Sequence, residues 1–320
     1  MFFPSPNLLS VLACLFGILT LGTVLRAASL RRLSDEKSRS HLRSVRSWWV
    51  LAVLLSVALI LGHLGVAALL AVAGILSLRE YLNILDWNRV GRPTAWVVFG
   101  IAPLYYSLLL FGYAESLRSA APVAFLIAIG AIRASLGLVD DFLRITAAIF
   151  WGLMLFVFCL SHAYFLLVLS GLPETWAGNL GWFLYLVLLT ETNDIAQALI
   201  GRPYGHTKIT PKTSPNKSLE GLLGGLMATT ILAVLLAPWL TSFMQRSWTS
   251  GIFLAVSSGL LIAAFGFLGD LNKSGIKRDV GIKDSGTILP GQGGMMDRID
   301  SLTFSAPIFF YFVQSMVFIN

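Results

Sequence analysis

The densest group of residues that could do chemistry lies in one polar segment, GDLNKSGIKRDVGIKDSGTILPGQGGMMDRIDS, at residues 269–301. Its acidic members are Asp270, Asp279, Asp284, Asp297 and Asp300, and its basic members are Lys273, Lys277, Arg278, Lys283 and Arg298. Clustered carboxylates beside cations suit metal-assisted phosphoryl or nucleotidyl transfer, because charge on the transferred phosphorus centre must be neutralised. The plainer interpretation is a salt-bridged loop between two membrane spans.

Two of these carboxylates stand where apolar sequence ends and begins. Asp270 closes one predicted span and Asp297 opens the next, so both are expected on helix ends at membrane level. Mg²⁺ takes oxygen ligands from one or two carboxylates and completes its shell with water and substrate phosphate. The sequence therefore favours Asp270 and Asp297 as ligands of Mg²⁺ or another divalent cation, and a second metal ion is possible.

A glycine cluster follows Pro290 in the same segment, at Gly291, Gly293 and Gly294. Glycine allows unusual backbone angles and close approach of a ligand, which suits a phosphate group. Alone, such a cluster is a weak indication of a site.

A second polar segment runs from Thr190 to Gly225. Its first part carries Glu191, Asn193, Asp194 and Gln197 near the inner end of an apolar helix, where ionisable groups usually face a cavity or a partner. Its second part interleaves Arg202, Lys208, Lys212 and Lys217 with glycine and proline, which predicts irregular structure. Cations on such a loop suit phosphate, although an ordinary positively charged loop would look similar.

The elements that must position these residues are membrane helices. Of 320 residues, 56% are hydrophobic and 12% are charged, and stretches of about 20 apolar residues recur along the chain. We predict an all-α polytopic membrane protein with about ten transmembrane helices, or nine if residues 47–82 do not form a full hairpin. The predicted spans are 7–26, 47–62, 64–82, 94–112, 119–138, 145–170, 177–200, 220–244, 250–270 and 301–319.

The distribution of basic residues sets the expected orientation. A hairpin near Gly62 and His63 places 20 of the 23 lysines and arginines on one face, which the positive-inside rule makes cytoplasmic, with both termini outside. This rule also explains the net charge of +7 and the basic loop 26–46, so nucleic acid is not implied. We divide the chain into an N-terminal transmembrane region, 1–175, and a catalytic region, 176–320, which carries polar loops 194–225 and 269–301.

From Ser274 onward the chain resembles the signature of the CDP-diacylglycerol synthases, also called phosphatidate cytidylyltransferases. The matching residues are Ser274, Lys277, Arg278, Lys283, Asp284, Pro290, Gly293, Gly294, Asp297, Arg298 and Asp300. The upstream segment is similar as well, at Asp194, Gly201, Arg202, Gly205, Pro211, Ser214, Pro215, Lys217, Glu220, Gly221 and Gly225. The resemblance covers roughly residues 185–310, whereas the first half matches only as a hydrophobic region ending in LREYL.

The resemblance implies transfer of the cytidylyl group of CTP to phosphatidate, giving CDP-diacylglycerol and pyrophosphate in phospholipid biosynthesis. Catalytic roles are expected for Asp270, Asp284, Asp297, Asp300, Lys277, Arg278, Lys283 and Arg298, with Asp270 and Asp297 at the metal centre. Substrate-binding roles are expected for Asp194, Arg202, Lys212, Ser214, Lys217, Ser274, Gln292, Gly293 and Gly294. The expected partners are CTP, phosphatidate and membrane lipid, a homodimer is possible, and the short loops favour a bacterial plasma membrane.

One position departs from the family pattern. Gln292 stands where the family usually carries the histidine of His-Gly-Gly. Glutamine donates and accepts hydrogen bonds but takes no proton near neutral pH, so any acid-base role of that histidine would be absent. If the histidine only orients phosphate, glutamine can replace it.

Two other functions compete with this interpretation. A CDP-alcohol phosphatidyltransferase would need an Asp-Gly-x-x-Ala-Arg element with spaced aspartates, and the chain lacks it. A transporter would be favoured by two similar halves, but the polar motifs occupy only the second half. A catalytically inactive relative is the remaining alternative.

Overall fold

The computed structural model describes residues 6–30, 35–85, 90–245, 247–282, 286 and 293–318. These residues are almost entirely helical. The helices are α1 (Pro6–Leu30), α2 (Asp35–Ile60), α3 (Gly62–Ile84), α4 (Arg92–Leu110), α5 (Ala114–Ser135), α6 (Phe142–Leu153), α7 (Leu160–Val168), α8 (Leu180–Tyr204), α9 (Leu219–Leu240), α10 (Trp248–Asp279) and α11 (Met296–Phe318). A π-helical segment, Met154–Cys159, joins α6 to α7, and a two-stranded antiparallel hairpin consists of β1 (Lys208–Thr210) and β2 (Ser214–Ser218).

The described residues contain eight helices long and apolar enough to cross a membrane, with α6, the π segment and α7 counted as one span, Phe142–Val168. In addition, α2 carries a shorter apolar stretch, Val45–Ile60, and α11 is a further helix of 23 residues. The chain is therefore an integral membrane protein, and the prediction of an all-α polytopic fold is confirmed.

Residues 47–82 do not form one long helix. The chain turns at Leu61, and Gly62 begins α3 with a φ of 67°, a left-handed conformation that glycine adopts without steric cost. Beyond this turn α3 packs back against α2, and a side chain at Gly65 would collide with the backbone of Ala58. The predicted hairpin at Gly62 is thus present, although α2 begins well before residue 47.

The interhelical connections gather at two opposite ends of the bundle. At one end the buried Arg133 donates from Nη1 to the Val90 carbonyl over 3.1 Å and from Nη2 to the Leu138 carbonyl over 3.3 Å. At the other end Gln245 Nε2 donates to the Glu174 carbonyl over 2.9 Å. Arg133 thus ties the connection before α4 to the one after α5, and Gln245 ties the connection after α9 to the one after α7.

Two predicted loops contain more regular structure than the sequence suggested. Helix α10 continues past Asp270 to Asp279, so the first part of the predicted loop 269–301 is helical. In the other predicted loop, α8 extends to Tyr204 and the β-hairpin occupies much of the remainder. Our prediction of irregular structure for the lysine-bearing part of 194–225 was wrong, because strand pairing satisfies the backbone there despite the prolines.

Close helix contacts at glycine bring the polar segments together. A side chain at Gly225 of α9 would collide with Asn193 and Gln197 of α8. A side chain at Gly269 of α10 would likewise collide with the backbone of Asp300 and Ser301 of α11. Glycine permits these backbones to approach, as small residues do in membrane helix pairs.

Candidate active site

One face of α10 carries charged side chains at its polar end. Asp270, Lys273 and Lys277 follow each other at helical spacings of three and four residues, so they project from the same side of the helix. The Lys273 ammonium lies 2.9 Å from Asp270 Oδ1, within the same helix. Lys277 Nζ lies 2.9 Å from Asp297 Oδ1, which links α10 to α11.

Lys273 is the centre of a three-carboxylate cluster, Asp270, Asp297 and Asp300. Besides its contact with Asp270, its Nζ lies 3.4 Å from Asp297 Oδ1 and forms an ion pair with Asp300 Oδ2. The side chains are 5–18% exposed, so these charges are largely shielded from bulk water. A buried charge must be paired, and one ammonium accordingly compensates carboxylates from two helices.

The β-hairpin adds a third lysine to the cluster, after Lys273 and Lys277. Lys217, at the end of β2, forms an ion pair with Asp270 Oδ2 and donates from Nζ to Gln197 Oε1 over 2.8 Å. Ser218 then caps α9 by accepting a hydrogen bond from the Gly221 backbone N–H over 3.2 Å. Strand and cap together fix the direction in which Lys217 points.

Helix α8 contributes two further carboxylates. Asp194 Oδ1 accepts a hydrogen bond from Ser301 Oγ over 3.0 Å and interacts electrostatically with Asp300 and Lys217. One turn earlier, Glu191 interacts electrostatically with Arg298 and Asp300. Arg298 Nε is buried without a hydrogen-bond partner among the described residues, so this guanidinium keeps an unused donor at the edge of the cluster.

A carboxylate from the first half of the chain holds the start of α11. Glu80, near the end of α3, is 4% exposed and accepts hydrogen bonds from the backbone N–H groups of Met295 and Met296, over 2.9 and 2.8 Å. A side chain at Gly286 or Gly294 would collide with this carboxylate. Gly294, which the sequence suggested as a phosphate-binding residue, therefore lies directly against Glu80.

The carboxylate oxygens suit a hard divalent cation, although the described residues include no group of three or more His, Cys, Asp or Glu side chains that could together hold a metal ion. Asp270 and Asp297, the predicted ligands, both lie within 3.4 Å of the Lys273 ammonium. Their convergence on one cation shows that a positive charge is accommodated between them. Mg²⁺ needs only one or two protein carboxylates when substrate phosphate and water complete its shell.

Several predicted residues lie outside this cluster. Arg278 is exposed and donates from Nε to the Thr213 carbonyl over 3.3 Å, so it attaches α10 to the hairpin turn. Arg202 and Lys212 are exposed, whereas Ser214 and Ser274 are half-buried. Gly293 has a φ of 87° and lies beside Asp297, whose Oδ2 accepts a hydrogen bond from the Gly294 N–H over 3.3 Å.

Three predicted residues, Lys283, Asp284 and Gln292, fall outside the described residues. Their expected roles stay predictions.

Sequence reasoning assigned no role to Lys273, which it named only among the charged residues of the segment, or to Glu80, which lies in the LREYL stretch. Lys273 stands three residues after Asp270 and four before Lys277, and this helical spacing could have indicated its position. Glu80 could have been found as an ionisable residue near the end of an apolar span, a position that usually has a partner.

Comparison with known proteins supplies the family. The profile of the Cytidylyltransferase family matches residues 42–316. The chain belongs to this family. The chain is therefore a nucleotidyltransferase embedded in a membrane, and those predicted catalytic residues that the structure describes lie on α10 and α11.

Individual relatives match to different extents. The uncharacterized protein YnbB of Escherichia coli K12 is 39% identical over 304 residues, which are 95% of this chain and 97% of the relative. A phosphatidate cytidylyltransferase of Staphylococcus aureus COL is 40% identical over 152 residues, 47% of this chain and 56% of that protein. One of Haemophilus influenzae is 40% identical over 131 residues, 40% and 44% of the two chains. The match thus spans about half the length of the two named enzymes.

Proposed function

We propose that this protein transfers the cytidylyl group of CTP to phosphatidate, giving CDP-diacylglycerol and pyrophosphate. The observation that carries the proposal is the cluster of Asp270, Asp297 and Asp300 with three lysines at one end of a membrane helix bundle. A reaction between a lipid and a water-soluble nucleotide needs its site at that level of the membrane. Membership of the cytidylyltransferase family and the resemblance to phosphatidate cytidylyltransferases support the acceptor.

In the proposed reaction a phosphate oxygen of phosphatidate attacks the α-phosphorus of CTP. The bond from the α-phosphorus to the oxygen bridging to the β-phosphorus breaks, and that oxygen leaves with pyrophosphate. Three lysines form ion pairs with carboxylates of the cluster, namely Lys217, Lys273 and Lys277. Their ammonium groups would also bind the phosphates of CTP. Arg298, with its unpaired Nε, would donate to a phosphate oxygen.

Asp270 and Asp297 would hold a divalent cation, which would neutralise charge on the phosphates of CTP. The electrostatic balance of the cluster favours this assignment. The described cluster and its surroundings hold five carboxylates and four cations, so they offer no excess of positive charge to a triphosphate. The carboxylates are Glu191, Asp194 and the three aspartates, and the cations are Lys217, Lys273, Lys277 and Arg298. We further propose that this end of the bundle faces the cytoplasm, where CTP is available, as the distribution of basic residues predicts.

The test is an assay of the purified protein in detergent with CTP, phosphatidate and Mg²⁺, followed by mass spectrometry of the lipid product. We expect CDP-diacylglycerol from the wild type and at least a ~100-fold lower rate from Asp297→Ala, because a group that neutralises transition-state charge is lost. Asp140→Ala removes an exposed carboxylate from another loop and should leave the rate unchanged.

Two results would contradict the proposal at different levels. If the wild type consumes CTP with a polyprenyl phosphate but not with phosphatidate, the acceptor is wrong while cytidylyl transfer stands. If Asp297→Ala is as active as wild type, the metal assignment is wrong.

A further inference from the structure

We infer that Glu80 is a positioning residue for the catalytic end of α11, contributed by a helix far from the family signature. The expected effect on kcat rests on the proposed function, whereas the expected effect on the stability of the helix start rests on the structure alone. Glu80 lies 215 residues before Met295 in the chain, yet its carboxylate binds two consecutive backbone N–H groups at the start of that helix.

The start of α11 presents backbone N–H groups that need acceptors. The first N–H groups of a helix have no partner within the helix, and they carry a partial positive charge that favours an anion. Asp297 Oδ2 accepts a hydrogen bond from the N–H of Gly294, which lies two residues before the helix begins. Glu80 satisfies the next two, at Met295 and Met296. Buried donors without partners would destabilise this helix start, so Glu80 completes it.

The start of α11 also carries Asp297, which faces the lysines of the cluster. Asp297 is the second residue of α11, and its Oδ1 faces the Lys273 and Lys277 ammonium groups. A shift of the helix start therefore moves the Asp297 carboxylate relative to both lysines and to Asp270. Glu80 itself is buried, and the hydrogen bonds that it accepts from the described residues come from backbone N–H groups, so we infer that it acts through Asp297.

The Glu80 side chain fits closely against two glycines. Gly286 and Gly294 both leave room for the carboxylate, and a methyl group at either position would collide with it. The two glycines therefore leave space for the glutamate side chain in the orientation in which its carboxylate accepts both hydrogen bonds.

Glu80→Gln tests the inference, because an amide of the same shape accepts one backbone N–H but presents an NH₂ group to the other. Hydrogen exchange measured by mass spectrometry should show faster exchange at the start of α11 in Glu80→Gln and in Gly286→Ala. The matched control is Glu115→Gln, at an exposed glutamate at the start of α5, which should exchange as wild type there. This measurement needs no activity, so it stands even if the proposed reaction fails.

The kinetic readout separates positioning from general destabilisation. We expect kcat to fall about 10–100-fold in Glu80→Gln and the Mg²⁺ concentration for half-maximal rate to rise, as when a group that orients a metal ligand is removed. KM for phosphatidate should change little, and Glu80→Asp should recover part of the rate because it keeps the charge. Wild-type exchange at the start of α11 in Glu80→Gln would overturn the inference. Faster exchange spread evenly over the whole bundle, with an unchanged Mg²⁺ requirement, would also overturn it.

Discussion

At the scale of single residues, Lys273 is the cation on which the cluster depends. It compensates Asp270, Asp297 and Asp300 together, so its removal leaves three carboxylates close to one another with reduced compensation. The family signature begins one residue later, at Ser274, and gives this lysine no assigned role. Its importance follows from its place on α10.

We predict that Lys273→Met destabilises the protein by about 3 kcal/mol, since breaking a buried ion pair leaves an uncompensated charge. The midpoint of thermal unfolding in detergent measures this effect. Lys208→Met, at an exposed lysine of β1, is the control and should unfold as wild type. An unchanged midpoint in Lys273→Met would show that the carboxylates do not need this ammonium.

Gln292 is the second residue with a specific prediction. If it serves phosphate only through hydrogen bonds, Gln292→His should keep the rate at neutral pH within about one order of magnitude, because both side chains donate and accept. The rate should then gain a dependence on pH near 6–7, where histidine titrates. A pH–rate profile of both proteins is the measurement. A much larger gain in rate would mean that the native chain is impaired or specialised.

At the scale of elements, the crossing of α10 and α11 sets the distance between the carboxylates. Gly269 lies against the backbone of Asp300 and Ser301, and it immediately precedes Asp270. Asp270 and Asp300 are therefore neighbours, because Gly269 has no side chain that would keep the two helices apart where they cross.

We predict that Gly269→Ala lowers activity at least about tenfold while the protein still inserts into the membrane, because the added methyl group forces the two helices apart. The matched control on the same helix is Gly275→Ala, whose methyl group would meet Thr213 at an ordinary 4.0 Å. Activity per amount of folded protein, measured after size-exclusion chromatography, distinguishes the two. Equal activities would show that helix separation here is not critical.

The elements were predicted from sequence to different degrees. Long apolar stretches identified the spans, and the charge count identified the hairpin that Gly62 forms. The continuation of α10 to Asp279 was missed because its last turns carry no apolar stripe. Its helical conformation is visible instead in the spacing of Asp270, Lys273 and Lys277. The β-hairpin was missed because glycine and proline mark turns without showing that the residues between them pair.

At the scale of the whole molecule, the connections alternate between two ends of the bundle, with the acidic cluster and the β-hairpin at one end. We predict that a single cysteine at position 212, in the hairpin turn, is protected from a membrane-impermeant maleimide in intact cells. A cysteine at position 113, in the exposed turn at the opposite end, should be labelled. Cys14 and Cys159 are replaced by serine in both proteins. The reverse pattern would place the cluster outside.

The whole-molecule view also shows where sequence reasoning ends. The signature residues predicted the cluster because their side chains meet each other. Glu80 was not predicted, since its partners are backbone N–H groups. Every residue except proline carries such a group, so residue types do not reveal this contact. Our division of the chain into regions 1–175 and 176–320 stays a prediction, and the Glu80 contact with Met295 and Met296 joins the two regions.

The bond between Glu80 and α11 has a consequence for biogenesis. At about 5–20 residues per second, the ribosome makes Met295 roughly 10–40 s after Glu80. Throughout that interval the carboxylate lacks the two backbone partners that it has in the finished protein. Folding of α11 onto the bundle thus supplies both partners of the Glu80 carboxylate. A chain that terminates before Met295 leaves the Glu80 carboxylate without both of these backbone partners.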